Sequence, residues 1–212
     1  MEIDQQYAIG TQRFIELDWP KVTAYFARVI SRLSSPPVSA SVGIAIMANV
    51  TGATGWLWAL LYLLFAVPLP ALYVMWKMRR GEITDFHIQV RAQRTKPYLM
   101  ILLCTGLALI GMVLGHAPQL MILVAAAGWL QTAALFVITL WWKVSAHTAA
   151  LAGISVLALG TLGASAWPLA AGVPLVAWSR VKLQRHTLSQ TIVGSALGLL
   201  ISIGALYLYR QG

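Results

Sequence analysis

The sequence predicts an all-α, polytopic membrane bundle of six or seven transmembrane helices preceded by an N-terminal amphipathic helix, and three observations lead to it. The 212 residues are 59% hydrophobic and only 10% charged, where a soluble domain carries roughly a quarter charged residues. The mean hydropathy of +0.75 comes from long apolar runs separated by short polar connections, the signature of repeated membrane crossing. Charge is also segregated: four of the six acids (Glu2, Asp4, Glu16, Asp18) lie in the first 18 residues, and only Glu82 and Asp85 follow.

The N-terminus is mixed and polar, without the short apolar core and cleavage site of a secretory signal. From Trp19 to Leu33 the apolar residues Val22, Tyr25, Phe26, Val29, Ile30 and Leu33 recur at helical spacing, with Arg28 and Arg32 on the other face. This predicts a helix lying at the membrane surface or packed on the bundle. Ser34-Ser35-Pro36-Pro37 ends it. Apolar spans follow at 38–52, 56–76, 98–116, 119–140, 147–164, 166–180 and 188–208. A spanning helix needs about 20 residues, so the first and sixth are short and the count is six or seven. The chain therefore divides into a polar to amphipathic segment, 1–37, and a transmembrane domain, 38–212, with no internal repeat and no separate soluble domain.

Thr51 to Gly55, His116-Ala117-Pro118 and Gly163 to Trp167 read as tight turns on one side of the membrane. With seven spans, the polar connections 77–97, 141–146 and 181–187 then share the other side. Fourteen of the fifteen Lys and Arg residues fall there, and only Arg210 does not. The positive-inside rule makes that side cytoplasmic. The nine tryptophans, Trp56, Trp76, Trp141 and Trp167 among them, sit mostly at span ends as interfacial anchors. Gly194 and Gly198 form a small-xxx-small pair suited to close helix packing. Cys104 is a lone cysteine in an apolar run, which excludes an internal disulfide or a multi-cysteine metal site.

Three cationic clusters are expected on the charged side. The first is Asp85 to Pro97, with Arg91, Arg94 and Lys96; His87 within it reads as an interfacial residue. The second is Lys143-Val144-Ser145-Ala146-His147-Thr148, which puts His147 at the start of a helix, beside free backbone N–H groups suited to an anion. The third runs from Ser179-Arg180 through His186 to Gln190, where His186 and Gln190 are four apart and share a helix face if the last span begins near His186. Each cluster by itself also fits a stop signal, a helix cap or a headgroup anchor. Together, two histidines and several cations with few acids suit a phosphate ester: guanidinium and ammonium groups neutralise its oxygens, one histidine can attack phosphorus and another can protonate the leaving oxygen.

These residues resemble the type 2 phosphatidic acid phosphatase family, the lipid phosphate phosphatases, whose three motifs read K-x6-R-P, P-S-G-H and S-R-x5-H-x3-D. The third fits as Ser179-Arg180-x5-His186-x3-Gln190 and the second in part, as Val144-Ser145-Ala146-His147. The first is looser, with Lys96-Pro97 for R-P and Gln89 where the leading Lys would stand. The resemblance covers 85 to about 208, with the motifs in the family's order. It implies that His186 is the nucleophile and forms a phosphohistidine, and that His147 is the general acid. It implies further that Arg180 and Lys96, helped by Arg91 or Arg94, bind the phosphoryl oxygens, that Ser145 adds hydrogen bonds, and that no metal or other cofactor takes part.

Three departures accompany it. The motif aspartate that orients the nucleophilic histidine is Gln190, which accepts a hydrogen bond but brings no charge; the second motif lacks its Pro and Gly; and two apolar spans separate the first and second motifs. Asp85 either replaces the missing acid or pairs with an active-site arginine, and an ion pair with Arg91 or a surface cap explains it equally well. The expected function is an integral-membrane, metal-independent phosphatase acting on a lipid phosphate or isoprenyl (di)phosphate. The expected partners are the bilayer and that substrate, and not nucleic acid; homo-oligomers and larger membrane complexes both stay open. The competing expectation is a catalytically weak or inactive relative that binds anionic lipid or serves as a subunit of a membrane complex. A transporter would show ionisable residues within its spans, and these spans are almost clean of them.

Overall fold

The computed structural model describes residues 18–86, 88 and 90–211. Glu2, Asp4, Glu16, His87 and Gln89 lie outside the described residues. Helix α1 (Trp19–Leu33) opens on Asp18, whose carboxylate accepts the Lys21 N–H at 3.2 Å, and closes on Ser34, whose hydroxyl donates to the Ile30 carbonyl at 2.7 Å. The face it buries is Ala27 and Ser31, packed on a later helix, while Trp19, Tyr25, Phe26 and Leu33 point outward. The apolar stripe thus faces the surroundings and the small residues pack on the bundle, the second of the two expected placements.

Helices α2 (Pro36–Thr51), α3 (Ala53–Ala66) and α4 (Pro68–Arg79) follow. A short 3-10 turn (Arg91–Arg94) leads into α5 (Thr95–Leu114), and α6 (Gln119–Trp141), α7 (Ala146–Leu162), α8 (Trp167–Lys182) and α9 (Leu188–Gln211) complete the chain. The described residues contain no strand. Pro68 splits the predicted span 56–76 into α3 and α4, because its ring cannot continue the α3 hydrogen-bond ladder; the two still form one apolar stretch, Ala53–Arg79.

Five stretches are long and apolar enough to cross a membrane, or six if α1 and α2, bent by 51°, count as one. One of the five, Ala146–Lys182, has 37 residues and folds back on itself. Gly163 takes φ +69°, a left-handed turn that glycine accepts without strain, and Pro168 starts the return arm. Its two ends, His147 and Arg180, line the same cavity, so α7 crosses and α8 returns. Counting the arms separately gives six passes, or seven with the α1–α2 pair, matching the predicted six or seven. The protein is an integral membrane protein. The turns at Gly52, at His116 and at Gly163 lie at the helix ends remote from that cavity, as alternation predicts.

Packing is inverted relative to a soluble core. Leu57, Leu64, Leu103, Leu130 and Leu200 face outward, while Ala48, Ala59, Ala108, Ala125, Ala152 and Ala158 are buried. Lipid is as apolar as leucine, so helices associate where small residues allow close approach. The tightest seam is α7 on α9. A Cβ on Gly194 would stand 2.5 Å from the Ser145 carbonyl oxygen, and one on Gly198 would stand 2.1 Å from that of Ala149. Thr148 reaches across to donate to the Thr191 carbonyl at 3.0 Å. The contacts climb both helices in the same direction, so the pair is parallel and its two N-terminal ends lie together.

Gly198→Ala pushes a methyl group into backbone and is expected to destabilise the bundle by about 1–3 kcal/mol, the usual range for overpacking. Gly204→Ala, where nothing stands within 4 Å of the added carbon, should leave thermal unfolding in detergent unchanged. Equal melting temperatures for the two variants would show that the seam has room.

Candidate functional site

The connection before α7 places the first imidazole. Ser145 is its N-cap, accepting the Thr148 N–H on its hydroxyl at 3.4 Å, and its own N–H donates to the Gln190 carbonyl of α9 at 3.1 Å. His147 is thereby held, buried, in the first turn of α7. The second imidazole is set by the start of α9. Thr187 and Gln190 form a reciprocal capping box: the Thr187 N–H donates to Gln190 Oε1 at 3.2 Å, and the Gln190 N–H donates to Thr187 Oγ1 at 3.4 Å.

The same Gln190 Oε1 lies 3.1 Å from His186 Nδ1. A backbone N–H can donate only to the amide oxygen, so the cap decides which way the Gln190 amide points. An amide oxygen can only accept, so Nδ1 carries the proton and Nε2 keeps its lone pair. His186 is buried. Burial, then the charges of Arg180 and Lys143, hold its pKa down at about 3, against a smaller opposing effect from the Gln190 hydrogen bond. The imidazole is neutral at physiological pH.

Arg180, at the end of α8, is buried and donates from Nη1 to Ser31 of α1 at 2.6 Å, while its Nε has no hydrogen-bond partner among the described residues. Arg94 is buried too and donates from Nε to the Ile88 carbonyl at 2.8 Å. Ile88 sits at φ +45°, a strained setting for a β-branched residue that costs on the order of 1–3 kcal/mol. Lys143 is half-buried, and its pKa is lowered by burial and by the neighbouring Arg94, Arg180 and Arg185. Four cations therefore share one positive field.

His147, His186, Arg94 and Arg180 line one end of a cavity of about 340 Å³. The rest of its wall is largely apolar, with Pro36, Val67, Pro70, Val74, Phe86 and Ile101. An anionic head among the cations and an apolar body against the wall is the ligand this shape suits. Among the described residues no three His, Cys, Asp or Glu side chains group as metal ligands.

The other expected site residues fall elsewhere. Lys96 is exposed, 3.9 Å from Glu82, and does not line the cavity. Arg91 donates to the Thr139 carbonyl at 3.0 Å and to that of Leu140, tying the end of α6 to the 3-10 turn. Arg91 and Arg94 are three apart in the 3-10 turn and differ in their partners, whereas Lys96, two residues on in α5, lies on another face. Ser145 is fully buried as a cap and does not face the cavity. Asp85 lies within electrostatic reach of Arg94 and does not line the cavity, although Phe86 and Ile88 beside it do.

Two contributors are not assigned from the sequence. Ser31 carries no local signal, since it meets Arg180 across 149 residues. Lys143 stands inside the second cluster, four residues before His147, and that spacing was its signal. Compared with protein-family models, with curated proteins and with solved structures, the chain matches none of them.

With the pKa of His186 at about 3 and that of an unfolded histidine near 6.5, the unfolded chain takes up this proton first. The group therefore contributes nothing above about pH 6.5 and removes stability as pH falls towards 3. In histidine-labelled protein, the His186 ring signals should stay those of neutral imidazole from pH 8 to pH 5. Lys143→Gln removes one of the depressing charges and should raise the titration midpoint; a wild-type midpoint near 6.5 would mean that the ring is open to water.

Proposed function

We propose that this protein is an integral-membrane phosphatase that hydrolyses a lipid phosphate or isoprenyl (di)phosphate through a phosphohistidine on His186, without a metal. The observation that carries the reading is the His186–Gln190 contact at 3.1 Å in a cavity that also takes His147, Arg94 and Arg180. His186 Nε2 attacks phosphorus, the bond to the leaving oxygen breaks, and His147 gives that oxygen its proton. Water then attacks the phosphohistidine, losing a proton to His147, which frees phosphate and restores His186. Arg180 and Arg94 hold the phosphoryl oxygens, and their charge opposes the negative charge that builds on the transferring group. The motif resemblance supports the same roles for His186, His147 and Arg180. The excess of Lys and Arg on the side of the site supports a cytoplasmic face.

A second reading rests on Gln190. Its capping-box bonds give it a structural duty whether or not chemistry occurs. A chain that keeps the fold and binds an anionic lipid headgroup, alone or within a larger complex, would retain it on that ground.

Purified protein in detergent with EDTA, offered phosphatidic acid and a short isoprenyl diphosphate, should release phosphate from at least one of them, and His186→Ala should abolish the release. Arg94→Ala should lower turnover by about 10²–10³-fold, the usual effect of losing one transition-state donor, and Lys96→Ala by less than about threefold, since a solvated cation contributes little. No release from folded wild-type protein would leave the binding reading.

Gln190→Glu keeps the capping box, where glutamate is favoured, and adds the missing charge beside Nδ1. Turnover should rise about tenfold, as an interaction stronger by about 1.4 kcal/mol would give. A fall in turnover at unchanged melting temperature would show that the neutral amide is required.

A further inference from the structure

A second, partly open cavity of about 200 Å³ is lined by α2, α3, α5, α6, α7 and α9. It adjoins the His–Arg cavity: Pro36, Pro37, Ala66, Tyr98, Ile101 and Ala146 line both. On α7 it extends from Ala146 to Leu157, so that it runs some 15 Å from the level of His147 at about 1.5 Å per residue. Its walls are mostly apolar, with Ile44, Val124, Leu135 and Leu157 among them.

We infer that this inner chamber takes the end of a single hydrocarbon chain whose phosphate head lies at His186, and that it sets the chain length the site accepts. The inference rests on the phosphate-ester reading of the outer cavity and narrows it to single-chain phosphates. Three observations carry it. The chamber meets the outer cavity at a shared wall, so a chain leaving the head site on that side has an apolar space to enter instead of lipid. Its volume equals roughly seven water-sized volumes at about 30 Å³ each, the scale of a segment of one chain. Partway along it, Gln131 and Ser202 bring polar oxygens to Gly153, where a Cβ would stand 3.0 Å from Gln131 Oε1 and 2.9 Å from Ser202 Oγ. A hydrocarbon pressed on these groups would strip their hydration without replacing it, so chains that reach past them gain little.

The test fills the chamber and leaves the head site alone. Gly128 lines the chamber but not the outer cavity, and a Cβ there would meet only the Tyr62 hydroxyl, at 3.4 Å. Ala150 on α7 likewise lines only the chamber. Wild type, Gly128→Leu and Ala150→Leu are offered phenyl phosphate, which the outer cavity can hold by itself, and decyl phosphate. Both variants should turn over phenyl phosphate as wild type does and lose tenfold or more in kcat/KM for decyl phosphate. Unchanged decyl phosphate turnover overturns the chamber. If wild type hydrolyses neither ester, the phosphatase reading falls, and native mass spectrometry with decylphosphonate decides the chamber independently. Binding to wild type that both variants lose upholds it, and binding that survives in the variants, or is absent from wild type, overturns it. If neither variant folds, the wild-type series from butyl to hexadecyl phosphonate decides: affinity that climbs to a plateau near decyl upholds a chamber of limited length, and a climb that never levels overturns it.

Discussion

The close parallel approach of α7 and α9 is the constraint on which the site depends. Gly194 and Gly198 let the two backbones meet at distances that exclude even a methyl group. The Thr148–Thr191 and Ser145–Gln190 bonds then lock the register at the charged end. Within lipid there is no hydrophobic force to drive such a pairing, so packing and inter-helix hydrogen bonds must supply it. Because the helices run in the same direction, both N-termini emerge on one side, and each carries a histidine that lines the same cavity. The α7–α8 hairpin makes the parallel arrangement possible: without the return arm α9 would have to run antiparallel to α7.

On that frame the local chemistry follows from a few backbone requirements. The start of α9 needs acceptors for its free N–H groups, and Gln190 supplies one while orienting His186 with the same oxygen. Helix capping and imidazole orientation are thus one arrangement, and a change in either disturbs the other. The cations oppose it. Arg94, Lys143, Arg180 and Arg185 act on one another at short range in a buried setting, an arrangement that favours an anion between them. Burial first, and then the charges of Arg180, Lys143 and Arg94, hold the His186 pKa down.

Alpha1 presents an apolar face outward and holds the site from its inner face. Its outward Tyr25, Phe26 and Leu33 suit the interface, and its inward Ser31 holds Arg180. The helix therefore braces Arg180 behind the wall of the site, and the sequence-level division at residue 37 separates segments that act together. The first motif makes a similar point. Arg91, Arg94 and Lys96 look equivalent in the sequence, yet one secures α6, one enters the cavity and one meets Glu82 in solvent.

The sequence alone determined that the chain is helical, membrane-embedded and charged on one side, because span length and hydropathy are local properties read directly against the thickness of the bilayer. The contact of His186 with Gln190 is expected from their spacing, but α9 begins only at Leu188, so it is the capping box at Thr187 and not a shared helix face that brings them together. The tertiary structure decided the rest. Ser31 meets Arg180, Lys96 turns away from the cavity, and two adjoining cavities lie inside the bundle. Such features depend on how far helices rotate about their axes and how near they come, and no local spacing records either. Only the close seams between small residues settle them, since those seams select one rotation and one depth for every helix at once.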